Sequence, residues 1–218
     1  AIIISFLEGK KIDNPQSHHC LQVGKMVSNF HQITKTFENT RKNTLDIDKW
    51  KFIFSKCLEE TNHDFKDLIE PMKNELLYLH QCWPKNLPQG TIHGDLFKDN
   101  IFFQNEKLSG LIDFYFSCND FYAYELAITT NAWCFDKKDG FNINNFESLL
   151  NGYQKNSNIN NDEKKNFNTL LRGAAMRILV TRLHDHLFHL DGAMVIPKDP
   201  LEYFTILKWH QKNTVFNL

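Results

Sequence analysis

"TIHGDLFKDNIFFQNEKLSGLIDF", residues 91–114, sets one histidine, three aspartates and two asparagines among apolar runs as dense as Ile101-Phe102-Phe103 and Leu111-Ile112. Short apolar runs on either side of a polar turn predict an antiparallel hairpin. A turn over Gln104–Ser109, centred between Glu106 and Lys107, sets Asn100 opposite Asp113. Facing residues in such a pair stand within about 5.5 Å at Cα. Two oxygen-bearing side chains then reach one point from opposite strands. That donor set suits Mg²⁺, a hard cation that takes few protein oxygens and completes its shell with phosphate and water.

Asp95 lies on the loop entering the hairpin, where a carboxylate could orient a hydroxyl for attack on a phosphorus beside the metal. His93 can brace that loop through its ring nitrogens. The resulting pattern, H-x-D-x-x-x-x-N followed by an Asp in an apolar strand, has the order and chemistry of a protein-kinase catalytic loop. One Asp-Asn pair near a hairpin is ordinarily turn and capping chemistry. Four polar positions that fit one reaction favour the functional reading.

Working outward, most of the remaining chain reads as helix. Ile2–Phe6 predicts a short buried strand that stops at Glu8-Gly9-Lys10. A helix is expected over about 16–32, with Leu21, Gly24, Val27 and Phe30-His31 inward. Residues 38–50 read as a polar surface connection. A second helix is expected over about 62–81 with Phe65, Leu68, Met72, Leu76 and Leu79 on one stripe. Helices follow at 121–133, around Phe146–Tyr153, and from Asn161 to about 189. The last opens at Asp199-Pro200, a good cap followed by a residue suited to the first helical position. The expected class is α+β, predominantly helical, with a small central β-hairpin.

Bulk properties narrow the function. A chain of 218 residues can bury a sizeable core. Hydrophobic content of 42% and aromatic content of 13% fit a folded domain rather than a disordered one. A net charge of -1 gives no general attraction for nucleic acid or anionic membranes, so neither is an expected partner. Five scattered cysteines without C-x-x-C spacing argue against a disulfide framework or zinc site and for a cytoplasmic protein with reduced thiols. No apolar run approaches the roughly 18–20 residues of a membrane span. His184, His186 and His189 do not share one helix face, so a metal site there is not expected.

"HGDLFKDNIFF" and "GLIDFYF" resemble the aminoglycoside phosphotransferase and choline kinase superfamily, whose members have a protein-kinase-like fold. "LSGLIDFYFSCNDFYAYELAITTNAWCFD" is similar, more specifically, to the homoserine kinases of that superfamily. "SFLEGK" at 5–10, "RGAAMRILVTRLHDH" at 172–186 and "KDPLEYFTILKWH" at 198–210 resemble the same family in order. The resemblance implies that residues 11–218 form the helical C-terminal lobe carrying the catalytic and metal loops. Residues 1–10 would be the hinge strand of an N-terminal lobe otherwise lying before Ala1. It implies Asp95 as catalytic base, Asn100 and Asp113 as Mg²⁺ ligands, and Ser5, Phe6 and Leu7 as the backbone edge that meets adenine. The implied reaction moves the γ-phosphoryl of ATP to the hydroxyl of L-homoserine, a step toward threonine.

The phosphate-covering loop and its lysine are not found here, so these residues alone are expected to be nearly inactive. For the substrate's ammonium Asp120 is a candidate, and for its carboxylate Arg177 and Arg182. Against these stand ordinary roles: a salt-bridged or snorkelling arginine, and a capping aspartate. Asn131 and Trp133 could wall the pocket, though Trp133 also suits the core. Alternative readings are a kinase for choline, ethanolamine or an aminoglycoside, whose cationic groups favour acids or an aromatic cage, and a non-catalytic kinase-like binding protein. Oligomeric state stays open.

Overall fold

The computed structural model describes residues 6–60, 64–136, 140–189 and 196–217. The chain divides into two compact units, residues 1–43 with 87–163 and residues 44–86 with 164–218. As the composition of apolar periods predicts, helices dominate and the strands are short and antiparallel.

In the first unit, α1 (Ser17–Ile33) packs along α5 (Ile143–Tyr153). Glycines permit the approach: a Cβ on Gly24 would stand 1.9 Å from the carbonyl oxygen of Leu149, and one on Gly152 2.1 Å from that of Leu21. The buried stripe of α1 is Cys20, Val23, Gly24, Val27 and His31. It is rotated from the expected one, because Leu21 is 40% exposed. Every residue of α4 (Tyr122–Trp133) after the first is buried, so it is a core helix with no solvent stripe.

The strands of this unit lie close by. β1 (Gln89–Ile92) pairs with β4 (Cys118–Phe121) from Gln89↔Phe121 to Ile92↔Cys118. β2 (Ile101–Gln104) pairs with β3 (Lys107–Leu111) as the expected hairpin. A small pair, β5 (Phe135–Asp136) and β6 (Gly140–Phe141), follows α4. Before the hairpin in sequence, Lys10 exchanges two backbone hydrogen bonds with Phe103, at 2.8 and 2.9 Å, and Glu8 accepts one from Ser109 Oγ. Residues 8–10 therefore run along the edge of the hairpin. The strand expected at Ile2–Phe6 lies almost wholly outside the described residues; Phe6, its last residue, is 90% exposed.

In the second unit, α2 (Ile47–Cys57), α3 (Lys66–Cys82), most of α6 (Asn161–Leu187) and α7 (Leu201–Lys212) form a helical group. α2 overlaps the stretch read as surface connection. Asp46 caps it by accepting from Lys49 N, and Ile47, Trp50, Phe54 and Cys57 form its buried face. Glu75 of α3 is 2% exposed and receives both Nε and Nη2 of Arg172 at 2.7 Å, plus Gln211 Nε2 at 2.6 Å. That buried network ties α3, α6 and α7 together. At the start of α7, Pro200 occupies the N-cap position and Asp199 Oδ1 accepts from Leu201 N, one residue away from the expected arrangement.

Candidate active site

The hairpin turn is tighter than the sequence reading assumed. Asn105 and Glu106 both have positive φ, 49° and 63°, the geometry of a two-residue turn whose twist matches its strands. Glu106 is an unusual residue for this region, and α1 holds it there. Gln22 Nε2 donates to its carbonyl at 2.8 Å, and His18 and His19 Nε2 meet its carboxylate at 2.9 and 2.8 Å. The pairing runs Gln104↔Lys107, Phe103↔Leu108, then Phe102↔Gly110 and Ile101↔Leu111, with Ser109 as an extra residue. The expected register is therefore wrong: Asn100 faces Ile112, not Asp113.

In this register Ile112 is clamped by both of its backbone groups. Ile112 N donates to the carbonyl of Asn100 at 3.1 Å, while Ile112 O accepts from His93 Nε2 at 3.0 Å. The residue just before Asp113 is thus held at both its backbone groups by the segment His93–Asn100. Asp113 itself turns into the left-handed region, φ 64° and ψ 63°, which aspartate tolerates better than most residues. Its exposed carboxylate accepts no hydrogen bond among the described residues.

Asp95 and Asn100 meet directly. Asn100 Nδ2 donates to Asp95 Oδ2 at 3.0 Å and to its carbonyl at 2.8 Å. Asn100 is buried and Asp95 half-buried. With the amide nitrogen so engaged, the Asn100 side chain keeps its oxygen to offer a cation. The third acid of the stretch, Asp99, is bound to Lys11 at 3.1 Å and stands apart from this set. Gly94, φ 78°, must be glycine, since a Cβ there would stand 2.8 Å from the carbonyl oxygen of Phe116. The turn after Asp113 thereby closes on the residue before Asp95.

Two supports of the loop were missed or undervalued by the sequence reading. Glu125, fully buried on α4, accepts from the backbone N–H of His93 and, at 2.9 Å, from that of Gly94. Burial pushes its acidity the other way, but His31, 3.7 Å away, and His93 bring its pKa below the usual carboxylate value. The only signal was a lone acid inside the run Ala123–Trp133. Trp133, also fully buried, donates its indole N–H to Leu96 O at 3.0 Å, so it braces the candidate catalytic loop from the far end of α4.

Of the candidate substrate residues, Asp120 lies in the first unit and Arg177 and Arg182 in the second. Asp120 accepts from Phe121 N and Asn43 Nδ2, each at 2.7 Å. Arg182, in the second unit, pairs with Glu202 at 2.8 Å and lies over the ring of Tyr203. Arg177, in the same unit, is 4% exposed. Of the hinge residues, Ser5 lies outside the described residues, and Leu7 packs its side chain against Gly110 of β3. Among the described residues the one cluster with metal-ligand spacing elsewhere is His18, His19 and Glu106. The N–H of Gln16 donates to His19 Nδ1 at 3.0 Å, which places the His19 proton on Nε2, toward Glu106. That cluster is a hydrogen-bonded clamp on the hairpin tip. No helix among the described residues is long and apolar enough to cross a membrane.

The phosphotransferase enzyme family model matches residues 1–156. The chain is 44% identical over 211 residues to a homoserine kinase of Agrobacterium fabrum, covering 97% of this chain and 66% of that protein. It is equally similar, 44% over 211 residues with the same coverages, to a homoserine kinase of Parvibaculum lavamentivorans. It spans about two thirds of the length of these relatives. Among solved structures, a choline kinase of Cryptosporidium parvum superposes with a TM-score of 0.67 at 14% identity, covering 95% of this chain and 68% of that one. An ethanolamine kinase of Plasmodium vivax gives 0.65 at 16%, covering 97% and 65%. At such identities the likeness is one of fold, that of the helical lobe expected from the sequence. With a loop of this pattern and a family match over most of its length, the chain belongs to the phosphotransferase enzyme family.

Proposed function

We propose that the protein carrying this chain transfers the γ-phosphoryl group of ATP to the side-chain hydroxyl of L-homoserine. The observation that carries the reading is the clamp on Ile112, which fastens Asp113 beside the Asp95–Asn100 pair. The names of the relatives, which cover nearly all of this chain, support the substrate.

In this reading Asp95 accepts the proton of the attacking hydroxyl. Asn100 and Asp113 hold Mg²⁺ through their side-chain oxygens, a donor set suited to that ion. The ion, when bound, neutralises charge on the phosphates. His93 is a positioning residue, since its ring bonds the Ile112 carbonyl. Glu125 and Trp133 hold the loop still, so that little reorganisation accompanies the reaction. The backbone at Phe6 and Leu7 serves as the adenine edge, consistent with residues 8–10 lying along the hairpin. Five free cysteines suit a reducing, cytoplasmic compartment.

Asp95→Asn tests the roles in the full-length protein. It should lower kcat on L-homoserine by about 10²- to 10⁴-fold while leaving the KM for ATP within a few-fold. The wild type should prefer L-homoserine over choline, ethanolamine and an aminoglycoside in an ATP-consumption panel. Preference for one of the latter, or an undiminished kcat in the variant, would overturn the reading.

A further inference from the structure

Homoserine and its decarboxylated counterpart, 3-aminopropan-1-ol, offer the same hydroxyl and the same ammonium; only a carboxylate distinguishes them. A site selective for the amino acid therefore needs a cation near Asp95, because the carboxylate carbon lies about 5 Å from the hydroxyl oxygen, along four single bonds. Among the arginines, two are paired with carboxylates, Arg172 with Glu75 and Arg182 with Glu202, and a third, Arg177, is 4% exposed. Arg41 is different. It is exposed, its guanidinium makes a single hydrogen bond, from Nη1 to Tyr115 O at 2.6 Å, and it has no carboxylate partner among the described residues.

Its position is fixed by backbone. Arg41 N donates to Asn119 Oδ1 at 2.8 Å and Arg41 O accepts from Asn119 N at 2.7 Å, so residues 41–43 lie along β4 as an added edge. Asn43 continues the attachment through Asp120 at 2.7 Å. Tyr115 belongs to the turn that leaves Asp113, and the next residue of that turn, Phe116, closes on Gly94 beside Asp95. A guanidinium with no carboxylate partner among the described residues is thus pinned, by its bond to Tyr115 O and its place over the Tyr115 ring, to the short turn that links the proposed metal ligand to the proposed base. Its planar fork has further N–H groups to present to a carboxylate in bidentate fashion.

Resting on the homoserine reading above, we infer that Arg41 is the specificity residue that binds the α-carboxylate of the substrate, in place of Arg177 or Arg182. The test compares wild type, Arg41→Met and Arg41→Lys in the full-length protein. L-homoserine is the substrate, and 3-aminopropan-1-ol serves as substrate or, where its turnover is slow, as competitive inhibitor. Arg41→Met should raise the KM for L-homoserine about 10- to 100-fold, with kcat and the KM for ATP within about three-fold. The constant for 3-aminopropan-1-ol should stay unchanged. Arg41→Lys, which keeps the charge and loses the fork, should fall between. An unchanged KM for L-homoserine, or equal losses on both compounds, overturns the assignment and leaves the homoserine reading standing. A wild type that does not phosphorylate L-homoserine overturns the parent reading instead, and the variants play no part in that outcome.

Discussion

Ile112 contributes no side-chain chemistry, yet its two backbone groups join the two halves of the site: N–H to Asn100, C=O to His93. Behind them Glu125 holds the N–H groups of His93 and Gly94 with one carboxylate. A carboxylate can accept at both oxygens, whereas an amide must turn its NH₂ toward one of two donors. Glu125→Gln should therefore leave one buried N–H unsatisfied and lower stability by about 1–3 kcal/mol. Since that N–H belongs to the loop bearing Asp95, kcat should fall more than the KM for ATP; thermal unfolding and steady-state kinetics of the same sample check both. A variant as stable and active as wild type would deny Glu125 this role. Asp95, Asn100 and Asp113 stand out as candidates in the sequence because their spacing is specific. Glu125 does not, since a fully buried helix gives no period to mark its one acid. Arg41 lies in a stretch that reads simply as a polar connection.

At the scale of elements, periodicity located most helices but not their rotation or contacts. The stripe of α1 was read correctly at Gly24, Val27 and His31 but not at Leu21, because the face set against α5 by Gly24 takes in Cys20 and Val23 instead. The hairpin was legible as two strands, but its register depends on a tight two-residue turn held in place by α1, which no local rule could supply. Helix α2 went unread because its face of Ile47, Trp50, Phe54 and Cys57 begins inside a charged run. Gly24→Ala and Gly152→Ala each force a methyl into a facing carbonyl and should cost about 1–3 kcal/mol or more, measured by chemical denaturation; a loss under about 0.5 kcal/mol, the ordinary scale of surface substitutions, would show that the helices part freely. On α7, His210 is buried, and burial, reinforced by Arg172, lowers its pKa from 6.5 to about 3. The unfolded chain then binds a proton that the folded chain refuses. Stability is fully present above about pH 6.5 and falls as pH drops below it, by up to about 1.4 kcal/mol per pH unit. Thermal midpoints from pH 7.5 to 5 should fall less steeply in His210→Gln than in wild type. Parallel curves would refute this.

For the molecule as a whole, a composition with little net charge excluded more than it identified, and the catalytic-loop pattern carried the class. The helical lobe follows from that pattern together with the family match over residues 1–156. Contacts between segments far apart in sequence, such as Arg41–Asn43 with Asn119–Asp120, were the least legible part, because they form only in the fold. The central claim is that Asp95, Asn100 and Asp113 work together on one nucleotide-bound metal. It is tested most directly by following ³¹P resonances of ATP with L-homoserine and Mg²⁺ in the presence of the full-length protein, wild type beside Asp113→Ala. A new phosphomonoester signal should grow with wild type, require Mg²⁺, and slow by about 10³-fold or more in the variant. Formation of that product at an equal rate by Asp113→Ala, or its absence with wild type, would contradict the claim.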